Sequence, residues 1–239
     1  MNAFQTTIAI AIASSAATAG VVDMKFNGTG AGSTVQIQLG ESNAFNVFAG
    51  ELKHEITNAS GVDTYLNSNH RTFCADITEH VSSDFVQYQT ADLESIPLTT
   101  NNPNPMSSTQ ADAIRALYAQ NASTLITGGL SNAFGTAMQL TVWELITDFD
   151  GSANSIDLTT GDFLAAGRNG DTLDIDILNH IEGLKTQVMF GINNGQAGPE
   201  MVAGLASAGS QDQLVVVPAP GAFALLAAGA LMTTRRRKN

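Results

Sequence analysis

Alternating apolar and polar positions dominate the N-terminal third of the chain and predict β-structure. Residues 34–39 alternate strictly, and the alternation resumes at 45–47 after a turn-forming stretch at 40–43. A period of two places alternate side chains on opposite faces of a strand, so these segments predict a hairpin. Further short strands are predicted at 71–77 and 85–88, which lie close enough in sequence to pair.

Beyond an Asn/Pro-rich breaker at 101–105, the apolar pattern changes to a helical period. The first predicted helix is capped by Ser107 or Ser108, the second covers about 131–148, and the third covers about 174–188. The apolar positions that carry these predictions are Ala111, Ile114, Leu117 and Tyr118, then Phe134, Met138, Val142 and Leu145, then Ile177, Ile181, Leu184 and Val188.

These elements predict a single α+β domain, with a β-sheet or β-sandwich region and a helical subdomain. The apolar run at 214–217 is either a last strand of the sheet or an extended linker. We assign the domain to residues 20–216, which is enough chain to bury one hydrophobic core. No internal repeat and no second domain is evident in the sequence.

The first 19 residues have the composition of a secretory signal peptide. Residues 8–13 form an apolar centre, and Ala17, Thr18 and Ala19 form a small-residue cleavage site. The stretch before residue 8 carries no Lys or Arg, which leaves a misassigned start or a buried helix as alternatives. We expect export by the Sec machinery.

The C-terminal segment, residues 217–239, combines a short Pro motif, an apolar stretch and a basic cluster. Its motif is Val217, Pro218, Ala219 and Pro220, and its cluster is Arg235, Arg236, Arg237 and Lys238. In this order the three parts resemble the PEP-CTERM sorting signal of exported bacterial proteins, with Ala219 in place of the usual Glu. The resemblance implies processing by a membrane protease of the exosortase type.

The apolar stretch at 221–232 is shorter than the roughly 20 residues that span a bilayer comfortably. The basic cluster would hold the end of the chain at the cytoplasmic face. We therefore expect a transient membrane attachment before processing, with a permanent tail anchor as the alternative.

Charge and cysteine content narrow the range of functions. The formal net charge is −12, and four of the ten Lys and Arg residues belong to the terminal cluster, so the domain itself is more acidic still. Nucleic acid is therefore an unfavourable partner. The chain has one cysteine, Cys74, whereas exported domains usually have paired cysteines or none.

Cys74 belongs to the first of two sequence motifs that lie far apart in the chain. Phe73-Cys74-Ala75-Asp76 is followed downstream by Gln139-Leu140-Thr141-Val142-Trp143 on the second predicted helix. The pair resembles the motifs of bacterial thioester domains, which occur in surface adhesins and in proteins with PEP-CTERM tails. Residues 158–163 resemble a stretch that such proteins carry after the Trp helix. The matching residues are Cys74, Asp76, Gln139, Val142 and Trp143, whereas Met138 and Thr141 replace the usual Thr and Ala.

The resemblance implies an internal thioester, formed when the thiol of Cys74 attacks the side-chain carboxamide of Gln139 and ammonia leaves. Trp143 would shield the bond, and Asp76 would orient the site or move the proton. An amine or hydroxyl on a surface protein or polysaccharide would then take the acyl group in a single turnover. This is covalent adhesion or matrix attachment at the cell surface, without enzymatic turnover and without a cofactor. The alternative is a non-covalent structural or matrix protein that keeps only the scaffold.

Other roles for these residues are less favoured. His70, Cys74, Asp76 and His80 do not have the spacing of a zinc site, and we assign no metal ligands. His180 lacks a motif that would make it the partner of a cysteine protease. Asp148, Asp150 and Gly151 only partly match a calcium loop. A disulfide-linked dimer through Cys74 is also open.

Overall fold

The computed structural model describes residues 20–98, 105–195 and 201–217. Within these residues the strands are β1 (Val21–Leu39), β2 (Phe45–Thr57), β3 (Asn69–Cys74), β4 (Val86–Ala91), β5 (Phe163–Gly167), β6 (Val202–Ala206) and β7 (Gln213–Val216). The helices are α1 (Ser108–Thr127), α2 (Asn132–Thr147) and α3 (Ile175–Asn193). This architecture confirms the predicted α+β class.

Six of the strands form a closed ring of antiparallel pairs. Around the ring, β1 pairs with β2, β2 with β3, β3 with β7, β7 with β6, β6 with β4, and β4 with β1. The fifth strand, β5, pairs only with the second half of β1. The β region is thus one sheet closed on itself, and β3 and β7 lie side by side within it.

The predicted N-terminal hairpin is confirmed, with longer strands than the alternation alone suggested. Ile37 lies opposite Phe45 and Asp23 lies opposite Thr57, so β1 and β2 pair over almost their whole length. Two register shifts interrupt the pairing in the Gly-rich part of β1, where the alternation is weak in the sequence. Val35 and Ile37 are buried, as their period predicts.

The remaining strands differ in detail from the prediction. β3 ends at Cys74 rather than continuing to residue 77, and β4 pairs with β1 and β6, not with β3. The apolar run near the end of the domain is a strand, β7, and not a linker. β5 and β6 were not predicted, because their Ala- and Gly-rich sequences have low intrinsic preference for strands.

All three predicted helices are confirmed, and each has a side-chain cap. Ser107 and Gln110 form a reciprocal capping box at α1. Ser131 caps α2 by accepting from the Phe134 amide, and Asp174 caps α3. The third helix continues five residues beyond the predicted end, to Asn193.

α2 lies at the centre of the molecule. It contacts β1, β2 and β3 on the sheet side and packs against α1 and α3 on the other side. Every residue from Gly135 to Leu145 is buried, so the helix has no solvent-facing stripe in this stretch. Gly135 lies against the backbone of Ala31 in β1, where a Cβ atom would clash, so this glycine lets the helix approach the sheet closely.

Two hydrophobic cores result. The larger lies between the sheet and the helices and contains Phe73, Cys74, Trp143 and Phe163. The smaller contains apolar residues of five strands, with Val22, Met24, Tyr88, Leu205 and Val215 among them. No helix in the described ranges is long and apolar enough to cross a membrane. Residues 1–19 and 218–239, which carry the predicted signal peptide and most of the sorting segment, lie outside the described residues.

Candidate functional site

Cys74 and Gln139 lie in direct contact in the larger core. The backbone N–H of Cys74 donates to Oε1 of Gln139 at 2.9 Å, and Nε2 of Gln139 donates to the backbone carbonyl of Cys74 at 2.9 Å. Both residues are at most 2% exposed. Both polar atoms of the carboxamide are therefore fixed to the main chain of the cysteine, although 65 residues separate the two in sequence.

The local structure explains this arrangement. Cys74 is the last residue of β3. Its backbone N–H and carbonyl are hydrogen-bonded to a side chain, that of Gln139. Gln139 lies one helical turn after Gly135, whose close approach to β1 brings α2 against the sheet. A hydrogen bond of 2.8 Å between the hydroxyls of Ser33 and Thr136 fastens the same turn of α2 to β1.

The thiol of Cys74 is enclosed. It donates to the backbone carbonyl of Asp76 at 2.9 Å, and the indole N–H of Trp143 donates to Sγ at 3.4 Å. Burial raises the pKa of the thiol far above its usual value, and the indole N–H lowers it only in part. The resting form is therefore the protonated thiol, although the thiolate is the stronger nucleophile.

Asp76 supplies a carboxylate beside the thiol. Its Oδ1 accepts from the backbone N–H and the hydroxyl of Thr78, both at 2.8 Å. Its Oδ2 is buried and has no hydrogen-bond partner among the described residues. A buried acceptor without a partner is costly, which makes this oxygen a candidate to receive a proton.

Trp143, whose indole contacts the thiol, also lines a cavity of about 300 Å³ together with Asp76 and Asp162. The indole ring also packs against Phe163, with ring centroids 6.0 Å apart. Phe163 ends the stretch 158–163, which also resembles thioester-domain proteins. The two motifs and this stretch therefore meet in the larger core. Val142, the other matching residue, is fully buried there too.

Sequence reasoning missed two buried carboxyl groups near the site. Glu144 follows Trp143 and accepts from the Asp157 amide at 2.8 Å; burial raises its pKa to about 8. Asp212 accepts from the amides of Ser207 and Leu98, and its backbone carbonyl accepts from the amide of Ala75. Burial raises the pKa of Asp212 to about 7. Nothing in the sequence distinguishes these acids from exposed ones.

The other candidates from the sequence have structural partners. Asp148 accepts from the amides of Asp162 and Phe163, and Asp150 accepts from the amide of Ser152. The ring of His180 packs edge-on against Phe134, and His70 lies within hydrogen-bond distance of the Leu66 carbonyl. Among the described ranges, no group of three or more His, Cys, Asp or Glu side chains is placed to hold a metal ion.

Of the predicted sorting segment, only Val217 falls in the described part of the chain. Its amide donates to the carbonyl of Met201 at 3.1 Å, and its side chain packs against the smaller core. Pro218, Ala219, Pro220 and the basic residues Arg235, Arg236, Arg237 and Lys238 lie outside it. Comparison with protein-family models, with curated proteins and with solved structures finds no match for this chain.

Proposed function

We propose that this chain is an exported surface or matrix protein that forms a thioester between Cys74 and Gln139 and uses it for covalent attachment. The observation that carries the proposal is the pair of 2.9 Å hydrogen bonds between the carboxamide of Gln139 and the main chain of Cys74. These bonds hold the carboxamide of Gln139 against the main chain of the residue that carries the only thiol of the chain.

Proximity supplies what an activating cofactor would otherwise provide. The Cys74 sulfur attacks Cδ of Gln139, the S–Cδ bond forms, and the Cδ–Nε2 bond breaks. The thiol proton passes to the departing nitrogen, and ammonia leaves. Oδ2 of Asp76, which is buried and unpartnered, is suited to carry that proton.

The same hydrogen bonds favour the transition state of this step. Negative charge develops on Oε1 of Gln139 as the carbon becomes tetrahedral, and the Cys74 N–H already donates to that oxygen. A donor held in place in a site without water stabilises such a charge strongly. Because burial raises the pKa of the thiol, little thiolate is present at neutral pH, and we expect formation to be slow.

The formed bond would be a protected electrophile. Cys74, Gln139 and Trp143 are at most 3% exposed, which keeps bulk water from the acyl carbon. The cavity of about 300 Å³ that Trp143 helps to line is the space from which an incoming group would approach. An amine or hydroxyl then attacks Cδ, the S–C bond breaks, and the thiol returns with the proton of the nucleophile.

Export to the cell surface is the part of the proposal that rests on sequence alone. The leader at 1–19 and the tail at 217–239 support it, together with Sec export and exosortase-type processing. Attachment would be to a surface protein or to a polysaccharide, and the acyl group is spent once, so the chain is not an enzyme.

One observation favours the alternative, a non-covalent scaffold protein. The Gln139 carboxamide satisfies both of its polar atoms in the hydrogen bonds to Cys74, so the structure has no need of a covalent bond to be stable at this point. In that case Gln139 would be a clamp between α2 and β3.

Amine labelling separates the two. Wild-type protein incubated with methylamine should gain one amine at Gln139, seen by peptide mass spectrometry, and Cys74→Ala should gain none. A Cys74→Ser variant keeps the size of the side chain and controls for packing. Equal labelling of all three proteins, or of none, would leave the scaffold function in place of the covalent one.

A further inference from the structure

A second cavity, of about 610 Å³, lies where β2, β3 and β7 meet the C-terminal end of α1. It shares no lining residue with the cavity beside Trp143. Its size falls within the range of pockets that hold small ligands. Its lining combines two cations, Lys53 and Arg71, with polar Asn69, the ring of Tyr65 and the apolar side chains of Leu125 and Ile126.

The two cations are direct cross-strand neighbours. Lys53 on β2 lies opposite Arg71 on β3 in the antiparallel register, an arrangement in which like charges repel. The domain is acidic, with 22 Asp and Glu against six Lys and Arg, the ten of the chain less the four at its end. Two adjacent cations at one cavity are therefore not expected from the acidic composition of the domain.

The nearest acids leave this pair incompletely neutralised. Glu51 contacts Nε of Arg71 at 3.4 Å, and Glu55 contacts Lys25 at 3.0 Å. The ammonium of Lys53 makes no ion pair and no hydrogen bond with the described residues, but it attracts the carboxylate of Glu51 at longer range. The Arg71 guanidinium packs on Gly128, whose positive φ of 72° and lack of a Cβ atom leave room for it. Arg71 is thus held at the cavity beside Lys53, and the single carboxylate of Glu51 serves both cations.

We propose that this cavity binds a hexuronate unit of an acidic saccharide. A guanidinium matches the geometry of a carboxylate and an ammonium adds charge beside it, so Arg71 and Lys53 would bind the carboxylate. The side-chain carboxamide of Asn69 and the hydroxyl of Tyr65 make no hydrogen bond with the described residues and are available to sugar hydroxyls. The Tyr65 ring and the apolar wall formed by Leu125 and Ile126 would cover the apolar face of a sugar ring.

The volume and lining argue against a bare anion. Inorganic phosphate would satisfy the two cations but would leave Tyr65, Asn69 and the apolar wall without contacts. A neutral sugar would leave the excess positive charge of Lys53 and Arg71 over Glu51 without a partner. The inference does not depend on the thioester, since none of its residues belongs to that site.

Calorimetric titration of the full chain with a galacturonate trisaccharide tests this, with galactose and inorganic phosphate as competing probes. The uronate should bind in a salt-sensitive manner. Lys53→Gln should weaken binding by about tenfold or more, the usual consequence of losing a hydrogen bond to a charged group. Arg71→Gln should do at least as much, but it also frees the buried Glu51, so Lys53→Gln is the cleaner test.

The matched control is Lys25→Gln, which removes a cation of β1 that does not line the cavity and should change affinity by less than about twofold. Equal losses in Lys53→Gln and Lys25→Gln would overturn the site. If phosphate binds as tightly as the uronate, the ligand is not a saccharide. If galactose binds as tightly as the uronate, the cations do not recognise the ligand. Absence of uronate binding would overturn the proposal as a whole.

Discussion

Strand β3 contributes to two buried polar clusters of similar size but different construction. The thiol cluster consists of Cys74, Gln139 and Trp143, and the hydroxyl cluster consists of His54, Thr72 and Gln213. In the hydroxyl cluster, Thr72 donates to Oε1 of Gln213 at 2.8 Å and lies 2.9 Å from Nδ1 of His54. Because the hydroxyl proton is used on Gln213, Nδ1 of His54 must be the donor to Thr72.

The difference lies in what each glutamine contacts. Gln213 is bonded to Thr72 and Gln211, so it links side chains and ties β3 to β7. Within the described part of the chain, the side chain of Gln139 is hydrogen-bonded only to the main chain of Cys74. Both are at most 1% exposed, so burial alone does not distinguish them. Gln139 thus holds its carboxamide against the cysteine, as the proposed thioester requires, whereas Gln213 joins other polar residues to one another.

The largest expected effect comes from truncating each glutamine in turn. Gln139→Ala should abolish amine labelling completely, because it removes the acyl group, whereas Gln213→Ala should label like wild type. Each truncation leaves buried partners unsatisfied and should lower the free energy of unfolding by about 1–3 kcal/mol. Peptide mass spectrometry and urea unfolding measure the two effects. Labelling that survives in Gln139→Ala would place the reactive group elsewhere.

Removal of the Trp143 ring should come next in its effect on the acyl group, although it should cost more stability than either glutamine truncation. Trp143→Ala should cost about 3–5 kcal/mol of unfolding free energy, since a buried aromatic side chain is lost from the larger core. It should also shorten the lifetime of the acyl bond in water, because the ring covers the thiol. Trp143→Phe keeps most of the ring but not its N–H. If the bond is equally long-lived in the Ala and Phe variants, Trp143 does not shield it.

Thr72→Val tests the hydroxyl cluster with a smaller effect. The variant has nearly the same shape but leaves His54 and Gln213 without their shared partner, so the free energy of unfolding should fall by about 1–3 kcal/mol. Amine labelling should not change, and Thr72→Ser should restore most of the stability. A fall in labelling of the folded Val variant would mean that the two clusters act as one site.

The sequence predicted the elements that have local signals but not the contacts between distant segments. The capped helices and the hairpin were predictable because their periods and caps are local. The pairing of Cys74 with Gln139 was implied only by a resemblance, and the hydrogen bonds between them depend on Gly135 and on the end of β3, which no local pattern specifies. Asp212 and Glu144 could not be identified as buried, because their burial depends on segments distant in sequence.

The last prediction concerns the pH dependence of stability, in which His54 acts in the opposite direction to Glu144 and Asp212. Burial lowers the pKa of His54 from 6.5 to about 4, so its contribution to stability is lost as the pH falls through that window. Burial raises the pKa of Glu144 from 4.5 to about 8, so its contribution is lost as the pH rises through that window. The free energy of unfolding of Glu144→Gln should therefore rise relative to that of wild type as the pH increases from about 4.5 to about 8. A difference that is constant in urea unfolding across this range would contradict the assignment.

The most direct test of the central claim is the intact mass of the purified protein together with titration of its one thiol under denaturing conditions. A thioester predicts a mass lower by one ammonia, no titratable thiol, and return of the thiol after treatment with an amine. A full mass with one titratable thiol would contradict it and leave Gln139 as a clamp between α2 and β3.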